Sequence, residues 1–197
     1  MSTDFLTPTS ELEAVNALLA SIGETPVGTL LGVLPVDVAA ARALVSLFSR
    51  QLQKTGWSFN TEFAYRITPN VNGEIILPLD ALKVDSADDT NLVQRGQRLY
   101  DPVAHTFAIR RAVTVDLVRG LPFDQLPETA RNYVTIAALR RFQDRFLSDA
   151  EAHTFSAKDE AQARAEFLSD EADAADYNVL DAATPSRILR RRGRSWQ

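Results

Sequence analysis

The first regular pattern in the chain begins at Ser10. In "SELEAVNALLAS" and the residues just after it, Leu12, Val15, Leu18, Leu19 and Ile22 recur at the spacing of one helix face. Ser10 and Glu13 stand three apart, the arrangement in which each side chain bonds the other's backbone N–H at a helix start. Gly23 supplies the left-handed residue that helix ends favour, and Pro26 keeps the helix from resuming. A second helix is predicted over residues 36–55, with Asp37 as N-cap and Gly56 as its stop. Ala41, Leu44, Val45, Phe48 and Leu52 form its buried stripe, while Arg42, Ser49, Arg50 and Gln53 are expected to face outward.

The period changes at Trp57. In "WSFNTEFAYRI" the residues Trp57, Phe59, Phe63, Tyr65 and Ile67 alternate with Ser58, Asn60, Glu62 and Arg66, which predicts a strand with its aromatic face buried. Shorter strands are predicted at residues 74–77, 81–84, 92–95, 97–100 and 112–118, the last with Val113, Val115 and Leu117 on one face. The turn signals "PNVNG", "SADDTN" and "RG" separate them, and Pro78 ends its strand or holds it at an edge. Helix returns in "LPETARNYVTIAALRRFQDRFLS", with Pro127 at the first helical position and Glu128 at the positive end of the macrodipole. Tyr133, Ile136, Ala137, Arg140, Phe142 and Phe146 carry it for about six turns. After a link around His153, a last helix is predicted over residues 156–177, its narrow stripe of Ala161, Ala165, Phe167 and Leu168 packing on the preceding helix. The pattern is α+β: a bundle of about four helices with a small antiparallel β-sheet inserted. Its expected divisions are residues 1–56, 57–122 and 123–181, followed by a basic tail, 182–197.

A length of 197 residues suits one domain, or one domain with an insertion, and can bury a core without staples. The chain has no cysteine, which excludes thiol catalysis, cysteine zinc sites and a disulfide framework. No apolar run approaches the ~18 residues of a membrane span, and "MSTDFLTPTS" lacks the regions of a signal peptide. The expectation is a soluble chain made in the cytoplasm. Its net charge of −5 is unevenly spread: "RILRRRGRSWQ" holds five arginines and no acid, so residues 1–186 carry about −10. An acidic body and a basic tail imply two surfaces with different partners.

Chemistry has little to stand on. "GETPVGTL" places Gly23 and Gly28 at the two glycine positions of a phosphate-binding loop. However, Thr29 and Leu30 occupy the places of the required Lys and hydroxyl, and a helix rather than a strand precedes it. His105 and His153 have no second ligand at metal spacing. There is no G-x-S-x-G elbow. The acidic runs at residues 85–89 and at Asp170, Glu171, Asp173 and Asp176 match neither a calcium loop nor a converging carboxylate pair. No cofactor or catalytic residue is assigned.

The segments "ELEAVNALLASIGETPVGTL", "QLQKTGWSFNTE", "LVQRGQRLYD", "LPETARNYVTIAALRRFQDRF" and "YNVLD" follow one another over residues 10–181. In that order the chain resembles the tail tubular protein A family, the head-to-tail adaptors of short-tailed bacteriophages. The "SIGE-P" turn and the "GW-FN-E" junction are the most specific parts. The resemblance implies a non-enzymatic structural protein of the virion tail, synthesised in the host cytoplasm. It further implies a dodecameric ring between the portal protein and the tail nozzle protein (tail tubular protein B), around the channel through which genomic DNA leaves. Tail fibres or spikes dock on such rings, and the family's fold is a helical bundle carrying a β-sheet. An acidic body suits a channel through which phosphates slide.

The Arg-rich ending is not matched by the family pattern and stays open between three readings. Arg187, Arg190, Arg191, Arg192 and Arg194 can neutralise DNA phosphates, making the chain a nucleic-acid-binding module. Alternatively the tail is a strap ordering on an acidic groove of the portal, with Ile188, Leu189 and Trp196 as apolar anchors. It can also be a solubilising tail. A glycan-cleaving tail enzyme is the remaining class, for which no carboxylate pair stands out.

Overall fold

A computed structural model describes residues 7–86, 91–146 and 150–181. Among them the elements run α1 (Glu11–Ala20), α2 (Val36–Gln53), β1 (Thr61–Ile67), β2 (Ala81–Ser86), β3 (Val93–Arg95), β4 (Arg98–Tyr100), β5 (Val113–Arg119), α3 (Glu128–Phe146) and α4 (Ala150–Asp181). The fold is α+β, four helices and a small antiparallel sheet. Helices α1, α2 and α3 pack on one another, and α4 lies along α3. Strands β1, β5 and β2 form a sheet in the order β1-β5-β2, all antiparallel, and β3–β4 form a separate hairpin.

Two apolar cores result. The larger joins α1, α2 and α3 through Val15, Leu18, Val45 and Phe142, and takes Phe167 from α4. The smaller lies under the sheet, where Val113, Val115 and Leu117 of β5 face Ile75, Leu77 and Leu99, all at most 2% exposed. Each such side chain contributes about 1.5–3 kcal/mol by leaving water. The ends of α1 follow from its sequence. Glu13 N–H donates to Ser10 Oγ at 3.2 Å and Ser10 N–H donates to Glu13 Oε2 at 2.8 Å. At the other end Gly23, at φ +81°, closes a Schellman motif: its N–H donates to Ala20 O, and Glu24 N–H donates to Leu19 O.

Several expectations are corrected. Trp57 and Phe59 are not in a strand: residues 58–60 form a 3-10 turn, because both rings pack into the bundle core. On β1 a bulge lies between Glu62 and Tyr65, with Ala64 at φ +54° and its N–H donating to Asp116 Oδ1 at 2.9 Å. The bulge breaks the alternation, and Phe63 and Tyr65 are 62% and 38% exposed instead of buried. Residues 74–77 make only isolated bridges. Helix α2 begins at Val36 after Pro35 with no side-chain cap bond, so Asp37 is in its first turn and not its N-cap. His153 lies inside α4, not in a link. Of the stripe expected on α4, only Phe167 is buried, alongside Ala163; Ala161, Ala165 and Leu168 are exposed.

Candidate functional site

The "GW-FN-E" stretch is the joint between bundle and sheet, and its polar groups are fully used. Gln53, 1% exposed, donates from Nε2 to Ser49 Oγ at 2.9 Å and to Leu121 O at 3.0 Å. Its Oε1 accepts Leu121 N–H at 2.6 Å. Asn60 donates from Nδ2 to Gln53 O at 2.9 Å and Arg119 O at 2.8 Å, while its Oδ1 accepts Trp57 N–H at 2.8 Å. The Trp57 indole N–H donates to Leu52 O at 2.7 Å. Ser49 and Gln53 are therefore buried, against the expectation that they face outward. The returning chain at Leu121 covers that side of α2, and amide-to-backbone bonds replace the water they lose. Gly56 makes the crossing: it stands at φ +84°, and a Cβ there would lie 2.9 Å from Val118 Cγ2.

Helix α4 latches this joint. Phe167 meets Trp57 edge-on at 4.8 Å, stacks with Tyr133 at 6.2 Å and meets Phe59 at 6.4 Å. Four residues along α4, Glu171 accepts both the N–H and the Oγ–H of Ser58, at 2.9 and 3.0 Å. On the sheet side Arg119 bridges Glu62 at 2.9 Å and Asp80 at 2.6 Å. Those bonds, Glu62 first, hold the guanidinium even further above its already high pKa. Charges at the joint are paired with one another, and the arrangement sets the attitude of the sheet on the bundle.

The remaining candidates from the sequence are not drawn together into a site. Asn16 clamps the loop after α1, its side chain bonding Val27 N–H and O at 2.9 and 3.0 Å. In "GETPVGTL" the Thr29 hydroxyl accepts Leu31 N–H. His105 sits at φ +54° in a turn where Asp101 accepts the N–H groups of Ala104 and Val103, which lower its carboxyl below the usual range. Asp170 accepts from Thr129 Oγ1 at 2.9 Å, and Asp85 lies opposite Asp116 across β2 and β5. Among the described residues, no group of three or more His, Asp or Glu is placed to hold a metal, and no helix is long and apolar enough to cross a membrane. Asp88 and Asp89, the His153 and Asp176 side chains, and the whole Arg187–Trp196 tail lie outside the described residues.

Sequence reasoning missed Arg131. It is 9% exposed and donates to Leu126 O, Thr9 O and Asp124 O, tying the N-terminal segment to the start of α3. Its position in line with Val134 and Ala138 was the signal: a cation on an apolar stripe has a buried partner. Also missed were the exposed apolar side chains before and along α2, where Leu31, Val33 and Val36 are 82%, 102% and 82% exposed.

The sequence model of the tail tubular protein family matches residues 12–177 of the chain. Tail tubular protein A of Klebsiella phage KP34 is 31% identical to it over 125 residues, which is 63% of this chain and 66% of that protein. The match thus spans just under two thirds of that relative's length.

Proposed function

Because the chain belongs to the tail tubular protein family, a family of phage tail structural proteins, we propose that it is a ring-forming head-to-tail adaptor. In this reading it joins the portal to the tail nozzle, forms part of the channel through which DNA is ejected, and has no enzymatic role. The observation that carries it is the extent of the family match, which takes in both the bundle and the inserted sheet with the joint between them. A joint whose charges and amides are internally satisfied suits a structural subunit rather than a catalyst.

The ring is dodecameric in this reading, built from the bundle segments 1–56 and 123–181, with the sheet segment 57–122 offered to the nozzle and to fibres or spikes. Helix α4 spans nine acidic and two basic residues, a charge of −7, and so supplies most of the acidity that suits a DNA channel. The tail, with Arg187, Ile188, Leu189, Arg190, Arg191, Arg192, Arg194 and Trp196, straps onto the portal. The second reading, a nucleic-acid-binding module, rests on the same five arginines.

Light scattering on the chain alone and with the portal, with duplex DNA binding followed on the same samples, tests these readings. A stoichiometric portal complex that is lost on deleting residues 187–197 supports the adaptor with a strap. A chain that ignores the portal and binds DNA with a steep salt dependence replaces it with the nucleic-acid module.

A further inference from the structure

The β3–β4 hairpin has one face on the smaller core and one turned outward. Across it Val93 pairs with Tyr100 and Arg95 with Arg98, while Gln94 and Leu99 alternate to the other side, where Leu99 enters the core. Ile76 bridges to Arg98 and so joins the outward face, on which Val93 and Ile76 are 40% and 47% exposed. The two arginines stand directly opposite one another, an arrangement of like charges that costs stability. Each guanidinium is held against a ring. Arg95 lies over Tyr100 at 3.6 Å, Arg98 over Phe107 at 4.1 Å, and the two rings meet at 4.9 Å. Glu74 neutralises Arg98 at 2.8 Å. Arg95 is exposed and has no ion pair among the described residues.

A guanidinium stacked on a ring keeps its N–H edge free and already aimed, which suits a carboxylate. The flanking Val93 and Ile76 suit a protein surface rather than a phosphate chain, which needs no apolar neighbours. Matching acids lie on α4. Asp159, Glu166 and Asp173, all exposed, recur every seven residues and so share one line about 21 Å long. None of the three has an ion pair among the described residues; Glu166 accepts the Gln162 amide at 3.0 Å. The exposed cations of the same helix, Lys158 and Arg164, stand roughly 80° and 160° around from that line. We propose that the Arg95–Arg98 face of one copy binds this acidic line on the next copy. Two different surfaces make a heterologous contact, the kind that closes into a ring. The inference rests on the ring-forming reading and adds a sheet-to-bundle contact to a ring built on the bundle.

Arg95→Glu and Glu166→Arg each reverse one charge at an exposed position. Light scattering over a concentration series of the full chain is expected to show each variant associating about tenfold or more weakly than the wild type. A chain carrying both reversals is expected to recover, because the pair is restored with its signs exchanged. Single variants that associate like the wild type, or a double variant that gains nothing over them, overturn this contact and leave the ring. A wild-type chain that stays monomeric throughout overturns the ring reading, and this contact with it. Arg95→Gln keeps a planar side chain beside Tyr100, so weaker association there reports the lost charge and not a damaged hairpin; unchanged association overturns the proposal. Duplex DNA binding on the same samples tests the other occupant. It is expected to be equal in Arg95→Glu and wild type, whereas its loss with association unchanged would make the face a phosphate site instead.

Discussion

At Gly56 two demands meet, a left-handed backbone and a neighbour at 2.9 Å from any added Cβ. Gly56→Ala has to hold left-handed backbone, at about 1–2 kcal/mol, and also displace Val118 from β5. Urea unfolding is expected to give a loss of about 2–3 kcal/mol; an unchanged midpoint would mean that the crossing relaxes freely. Gln53→Ala strands the N–H and C=O of Leu121 and is expected to cost about 2–3 kcal/mol in the same assay. Tyr133 gives a pH signature. Burial raises its phenol above the ordinary value, Glu160 adds to this and Arg164 opposes it. The neutral phenol is thus favoured in the fold. Its contribution is complete below the unfolded value near 10 and is lost as pH rises through the folded one. Stability followed from about pH 9 to 12 is expected to fall with a slope that Tyr133→Phe reduces. An equal slope in the variant would assign it to other groups.

At the scale of elements, α4 depends on few residues for its place. Ala163 and Phe167 are its buried contacts among the described side chains, and Phe167 alone meets Trp57, Phe59 and Tyr133. Phe167→Ala is expected to remove about 3–5 kcal/mol from the docking of α4. Brief proteolysis should then cut within α4 while the α1–α3 core stays protected, whereas cleavage spread evenly over the chain would show that α4 is not a separable layer. The elements themselves were largely legible: β5 was expected at 112–118 and runs Val113–Arg119, and α1 has both its predicted cap and its glycine stop. What the sequence hid was tertiary. Trp57 and Phe59 alternate like a strand, yet the bundle core takes both rings, and Asn60 closes the resulting turn onto Trp57 N–H. Gln53 looks like a surface residue until Leu121 returns beside it. On α4 two stripes of alanines share one helix, and only the position of Phe167 decides which of them is buried.

For the whole molecule, the question is whether bundle and sheet can be separated. Among the described residues the bundle core contains none between Phe59 and Leu121, and Thr61 and Val118 are cross-strand partners, so the insertion leaves and returns at one point. Antiparallel partners stand only ~5 Å apart, a gap that a two-residue Asn-Gly turn closes. Replacing residues 62–117 by that turn is therefore expected to leave an all-helical protein with a single cooperative thermal transition, read by circular dichroism. If the ring contact lies on the bundle, this bundle still self-associates, as light scattering would show. If the sheet carries the nozzle contact, binding of the nozzle protein is lost at the same time. A bundle that folds but no longer associates would move the ring contact to the sheet, where the exposed Phe63 on the bulged edge of β1 is the next surface to test.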